Sequence, residues 1–278
     1  MRLPFQRTAA PVALRQPAPS LPPKLQSSDL AALYRAARVG GDFFEFVLAG
    51  EGRLVFVLLD IAGRRDQALD IAAQVQETLR GSVPKLFGES DLNEADAVTE
   101  LVHLLNSRIL TAAGGVRCAA GFVGCYNEAL GIVAYINAGH VPALLREDGN
   151  ISVLEASGLP LGLFSHATHD AQMCVIPEGG ALLLASRGLV EVKAGSEEFG
   201  VDHLKASLKA APCNGDAREL CSSILRSVSE FVEQNKRRRF LGLIGGQANG
   251  DGDALGENDI TTVALLRKHS KAIASAAS

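Results

Sequence analysis

The sequence predicts an α+β protein in which antiparallel sheets pack together and helices cover them. Short strand patterns follow one another closely from about residue 117 to 186, with glycine-containing turns between several of them. Two helical periods precede that run and one or two follow it, which is not the regular alternation of a parallel α/β chain. The segment Leu54-Val55-Phe56-Val57-Leu58-Leu59 is apolar at every position, as a strand covered on both faces must be.

Residues 1–28 hold six prolines, Pro4, Pro11, Pro17, Pro19, Pro22 and Pro23. Proline fixes φ and lacks a backbone donor, so a poorly ordered arm is expected, assigned to 1–20, ahead of one domain over 21–268. Strands are predicted at 30–37 and 53–59. The period then changes: Ala68, Ala72, Val75 and Leu79 fall at helical spacing within 66–82. A second helix is predicted over 94–110 through Val98, Leu101, Val102, Leu105 and Ile109, with Asn93 as N-cap. Short strands are predicted at about 117–126, 130–137, 142–146, 151–154, 170–176 and 181–186. Helical spacing returns over 216–234 through Cys221, Ile224, Leu225, Val228, Phe231 and Val232. Lys236-Arg237-Arg238-Arg239 leads into a stretch rich in Gly, Asn and Asp, so 236–257 reads as a mobile surface loop. A strand at 260–267 closes the fold, and 269–278 is a tail.

The chain has 278 residues, 47% hydrophobic and 21% charged, enough for a large core. Its net charge of −4 argues against a chain built to bind nucleic acid. The five cysteines, Cys118, Cys125, Cys174, Cys213 and Cys221, are odd in number and show no CxxC pair, which points to reduced thiols rather than disulfides or zinc. No run approaches the roughly 18 apolar residues of a membrane span, and no secretory signal is evident. A cytoplasmic protein without a membrane partner is expected.

Two acidic residues stand out. Asp42 follows Gly40-Gly41 and precedes Phe43-Phe44; Asp60 ends the wholly apolar strand. A carboxylate at the end of a buried strand is costly unless paired, hydrogen-bonded or metal-bound. Two of them suit Mg²⁺ or Mn²⁺, hard cations that take oxygen ligands; turn-capping aspartates are the alternative. His140, in a Gly-His-Val-Pro turn, reads as a turn histidine rather than an acid or ligand, because no acidic partner adjoins it. Gly40-Gly41 lacks the Lys-Ser/Thr of a nucleotide loop.

The order of motifs resembles the PPM (protein phosphatase 2C-like) family, and within it the SpoIIE-type bacterial branch. The resemblance runs through Leu21-Pro22-Pro23, Val39-Gly40-Gly41-Asp42-Phe43-Phe44-Glu45-Phe46, Leu59-Asp60-Ile61-Ala62-Gly63 and Asn137-Ala138-Gly139-His140-Val141-Pro142-Ala143-Leu144. It continues through Gly158-Leu159-Pro160-Leu161-Gly162, Leu184-Ala185-Ser186-Arg187-Gly188-Leu189-Val190-Glu191 and Asn258-Asp259-Ile260-Thr261-Thr262-Val263. It implies an α-β-β-α sandwich. It also implies two divalent cations, Mn²⁺ or Mg²⁺, about 4 Å apart, whose bound water attacks a phosphoserine or phosphothreonine. Asp60 matches the carboxylate bridging both metals, Asp42 a ligand of the second, and the Ile61 carbonyl a further one.

Two positions depart from the family pattern. Ser186-Arg187-Gly188 stands where the family has Thr/Ser-Asp-Gly, so a cation replaces a metal ligand. Asn258-Asp259-Ile260-Thr261 stands for Asp-Asp-x-Thr, so neutral Asn258 takes the place of the usual ligand. Asp259 is a weak substitute, because neighbouring strand residues face opposite ways. Gly63-Arg64-Arg65 replaces Gly-His-Gly or Gly-Lys-Gly, and Arg64 is a candidate guide for phosphoprotein. Arg187 is expected to pair with Asp60, weaken or remove one metal site, and offer a phosphate ligand.

The resemblance implies a SpoIIE-type serine/threonine phosphatase acting on a phosphorylated regulatory protein, anti-sigma antagonist-like by analogy, with catalysis at Asp60 and Asp42. The alternative is a pseudophosphatase that binds such a partner without turnover. A pure scaffold would leave Asp42 and Asp60 without a purpose.

Overall fold

The computed structural model describes residues 15–37, 41–50, 52–112, 118–212, 215–240 and 258–269. The first elements are β1 (Ser28–Arg35), β2 (Asp42–Ala49), β3 (Arg53–Ile61), α1 (Arg65–Leu86) and α2 (Glu94–Ala112). A strand-rich centre follows: β4 (Ala119–Asn127), β5 (Ile132–Ala138), β6 (Ala143–Glu147), β7 (Asn150–Leu154), β8 (Gln172–Val175) and β9 (Ala181–Ala185). The chain then forms α3 (Arg187–Val190), the small hairpin β10 (Lys193–Ala194) and β11 (Glu197–Glu198), α4 (Gly200–Ala210), α5 (Ala217–Phe240) and β12 (Ile260–Arg267).

Two five-stranded antiparallel sheets form, ordered β2-β3-β4-β5-β8 and β1-β12-β9-β6-β7. The apolar run of β3 shows why they stack. Val55, Val57 and Leu59 face a cluster built with α1 and α2. Leu54, Phe56 and Leu58 face a second cluster shared with Val263 and Leu265 of β12 and Leu182 and Leu184 of β9. A third cluster lies between the other sheet and α4 and α5. The layers are therefore helix, sheet, sheet, helix, the α-β-β-α sandwich that the sequence predicts. Burying each large side chain of β3 contributes about 1.5–3 kcal/mol. On the inter-sheet face of one sheet an aromatic row stacks across neighbouring strands, Phe56–Phe122 at 6.1 Å and Phe122–Tyr135 at 5.1 Å. Among the described residues no helix is long and apolar enough to cross a membrane.

The differences from the sequence reading have local causes. β2 carries buried Glu45 in its apolar pattern, and the charge is met by Gln76 (2.6 Å) and Arg80 (2.9 Å) of α1. Such a pattern hides a strand. α3 and the β10–β11 hairpin are too short to read, and α4 is a second late helix that buries Leu204 and Leu208. The basic cluster at 236 belongs to α5, which runs to Phe240; lysine and arginine are good helix formers. The first part of the expected 236–257 loop is therefore helical, and 241–257 lie outside the described residues, as do Cys213 and the tail from residue 270.

The expected arm over 1–20 is described only from residue 15. Residues 1–14 lie outside the described residues, but 15–18 run along α1. The Gln76 side chain accepts from Ala18 N and donates to Ala18 O, both at 2.8 Å. Arg15 adds its backbone N–H to Asp70 and its guanidinium to Glu77, each at 3.1 Å. Asn93 caps α2 as expected, accepting from Ala95 N at 3.1 Å.

Candidate phosphate and metal site

The alternation along β3 decides where Asp60 points. Even-numbered residues from Leu54 to Leu58 face the opposing sheet, and Asp60 continues that face at the strand's end. Asp42 opens β2 and stands directly opposite Asp60 in the ladder. Cross-strand partners share a face with Cα atoms about 4.5–5.5 Å apart. One end of the sandwich therefore presents two adjacent carboxylates to the other sheet.

The other sheet supplies what meets them. Ser186 and Arg187 follow the end of β9, and Thr261 lies beside them in β12, with Ser186 N donating to Thr261 O at 2.9 Å. Thr261 Oγ1 donates to Asp42 Oδ2 at 2.7 Å. Arg187 Nε donates to Asp60 Oδ2 at 2.7 Å. The Asp60 side chain is 14% exposed and that of Arg187 is 57% exposed, so the guanidinium lies across the carboxylate while keeping an edge in water. Its hydrogen bond to Asp60 holds the Arg187 pKa above the ordinary value. Asp42 is pushed towards its neutral form. Burial raises its pKa to about 7, against the Thr261 and Ser186 hydroxyls that favour the charged form and with Asp60 and Asp259 adding repulsion.

The remaining predicted residues sit around this pair. The Ile61 carbonyl packs on Gly41: a Cβ there would lie 2.0 Å from Ile61 O, so only glycine allows the approach, and Ile61 N donates to Gly41 O at 3.0 Å. Asn258 packs over Gly188, where an added Cβ would lie 2.9 Å from its side chain. The Asp259 carboxylate turns to the start of α1: Oδ1 accepts from Ala37 N (2.8 Å) and Arg65 Nη1 (3.2 Å), and Oδ2 from Tyr34 (2.9 Å). Arg64 precedes α1 with its side chain 81% exposed and 3.5 Å from Asp66. His140 is buried, its Nδ1–H donating to Val141 O at 3.1 Å, and burial holds its pKa below the ordinary value. It is the turn histidine of the sequence reading.

Three residues of the site were not singled out as functional in the sequence: Ser186, Thr261 and Tyr34. The first two stand inside the motifs that drew attention to their neighbours, and their hydroxyls matter because the two sheets converge. Nothing in the sequence marks Tyr34, since its partner Asp259 lies 225 residues away.

The model of the family described as Stage II sporulation protein E (SpoIIE) matches residues 50–238. The chain belongs to the SpoIIE family. Protein IcfG of Synechocystis sp. (strain ATCC 27184 / PCC 6803 / Kazusa) is 26% identical over 209 residues, covering 68% of this chain and 33% of that protein, so the chain spans a third of its curated relative. Among solved structures, the RsbU and RsbW domains of Rv1364c from Mycobacterium tuberculosis superpose with a TM-score of 0.66 at 23% identity, over 88% of this chain and 62% of that one. The PP2C phosphatase domain of SpoIIE from Bacillus subtilis gives 0.63 at 16% identity, over 87% and 63%. The SiaA-PP2C domain of Pseudomonas aeruginosa gives 0.64 at 13% identity, over 85% and 84%. The fold of this SpoIIE-family chain is thus that of PP2C-type phosphatases, a family that uses Mn²⁺ or Mg²⁺.

Arg187 covers Asp60, both oxygens of Asp259 are engaged, and Asp42 is bonded to Thr261. Among the described residues no three His, Cys, Asp or Glu side chains converge as a metal site.

Proposed function

We propose that this SpoIIE-family chain binds a phosphorylated regulatory protein at the Asp42–Asp60–Arg187 end of the sandwich, with two-metal hydrolysis lost or strongly weakened. The Arg187–Asp60 ion pair carries the reading. A guanidinium stands where the family has a metal-binding carboxylate, and it neutralises the one carboxylate that both metals would share. Its planar fork suits phosphate, and Arg64 adds a second exposed cation at the start of α1. Phosphate then meets a fixed cation instead of a metal-bound water, so recognition persists where attack does not. That the Mycobacterium tuberculosis neighbour carries an RsbU domain with an RsbW domain supports a regulatory protein as the partner class.

A second reading, a metal-dependent serine/threonine phosphatase, is favoured by the position of Asp42 and Asp60, opposite each other in the ladder. A half-exposed ion pair is worth on the order of 1 kcal/mol, which concentrated Mn²⁺ can overcome. Turnover of an aryl phosphate and of a phosphoserine peptide, with and without Mn²⁺ and alongside Asp60→Ala, separates the two. Phosphopeptide binding without turnover is expected. Metal-dependent turnover that Asp60→Ala abolishes would establish the second reading instead.

A further inference from the structure

Leu154 ends β7 opposite Ala143 of β6, whose next residue, Leu144, pairs with Leu183 of β9. The chain therefore leaves β7 at the end of the sheet that carries Arg187. It crosses to the other sheet and pairs Leu161 with Ala119, accepting and donating backbone hydrogen bonds at 2.8 and 2.9 Å. Ala119 is itself the ladder partner of Ile61. The segment 155–164 thus forms one wall of the end at which Asp42, Asp60 and Arg187 meet.

Two large apolar side chains of this wall stand in water, Leu159 at 51% and Phe164 at 49% exposure. Their backbones are fixed by buried polar groups. The ring of buried His169 donates from Nε2 to Leu159 O at 2.8 Å. Buried Asn106 of α2 donates to Phe164 O at 3.0 Å and accepts from Gly162 N at 2.7 Å. Scattered exposed leucines need no explanation. Here, however, two buried side chains direct their hydrogen bonds at the two residues held outward. A rigid apolar wall loses little entropy when it is covered.

We infer that Leu159 and Phe164 are specificity residues that receive an apolar side chain of the phosphorylated protein bound at Arg187; this rests on the phosphate reading above. Arg187, at the same end of the sandwich, favours a phosphate-bearing segment as occupant. Two inter-strand steps separate Ile61 from Leu161, about 10 Å, which an extended peptide spans in about three residues. The apolar residue should therefore lie about three positions from the phosphoserine.

The test uses a short polar phosphoserine peptide and two versions carrying leucine about three positions before or after the phosphoserine, with inorganic phosphate as the minimal probe. One leucine peptide should bind the full chain about tenfold more tightly than its polar parent. Leu159→Ser/Phe164→Ser should erase that advantage while leaving the affinity for inorganic phosphate and the melting temperature unchanged. Equal binding of leucine and parent peptides, or an advantage that survives the double variant, overturns the inference. So does a double variant that loses only binding to phosphatidylserine vesicles, which would make the wall a membrane contact. Arg187→Ala is the separate control: if phosphate binding is unchanged by it, the phosphate reading itself fails, whatever the leucine comparison shows.

Discussion

Asp42 and Asp60 face each other across the β2–β3 ladder, yet each is held by a different group of the opposing sheet, Asp42 by the Thr261 hydroxyl and Asp60 by the Arg187 guanidinium, both at 2.7 Å. One carboxylate is neutralised by a charge and the other only by a hydroxyl. The pair is therefore asymmetric in its contacts.

That asymmetry sets a pH dependence. The folded pKa of Asp42 is about 7, above the usual carboxylate value of 3.8. The folded state then binds a proton more tightly than the unfolded state, so this group's contribution to stability is full below about pH 4 and is lost as pH rises through 7. Three pKa units set a ceiling of about 4 kcal/mol. Asp42→Asn should therefore be more stable than wild type at pH 8 and close to it at pH 4, as denaturant unfolding at the two pH values will show. A variant less stable than wild type at pH 8 contradicts this.

Charge reversal tests the substituted positions. Arg187→Asp with Asn258→Asp replaces a cation and a neutral amide by two carboxylates beside Asp42 and Asp60. Mn²⁺ affinity should rise about tenfold or more, equivalent to at least about 1.4 kcal/mol, and phosphate affinity measured in EDTA should fall. Unchanged Mn²⁺ affinity would mean that these positions do not face the carboxylate pair.

Asp259 is expected to act as a clamp rather than a ligand. It ties Tyr34, Ala37 and Arg65 together, and its own side chain is buried. Removing Asp259 takes the acceptor from Ala37 N and from the half-exposed Tyr34 and Arg65, so Asp259→Ala should cost about 1–2 kcal/mol. Tyr34→Phe, which deletes one hydroxyl, should cost about 1 kcal/mol. Thermal and denaturant unfolding measure both, and a neutral Asp259→Ala would refute the clamp.

The inter-sheet aromatic row offers a check on the fold itself. Phe122 is fully buried and stacks on both Phe56 and Tyr135. Phe122→Ala should cost about 3–5 kcal/mol in equilibrium unfolding; a loss under 1 kcal/mol would show that the sheets do not close there.

Much of this was legible in the sequence because it depends on local period. The apolar run 54–59 announced a strand covered on both faces, and Ala68, Ala72, Val75 and Leu79 announced the helix over it. Asp60 and Arg187 were recognisable from their motifs, and their pairing followed from charge. What stayed hidden depends on distant partners. β2 was obscured because Glu45 is buried, a position that makes sense only once Gln76 and Arg80 lie over it. The role of Tyr34 needed Asp259 from the far end of the chain. The basic stretch at 236 misled because clustered charge signals solvent but does not forbid helix.

The central claim is that Arg187 serves as the resident cation at Asp60. Calorimetric titration of the unaltered chain with Mn²⁺ tests it most directly. No pair of tight, saturable sites should appear, and phosphate should bind equally well in EDTA. Two tight Mn²⁺ sites per chain would contradict it.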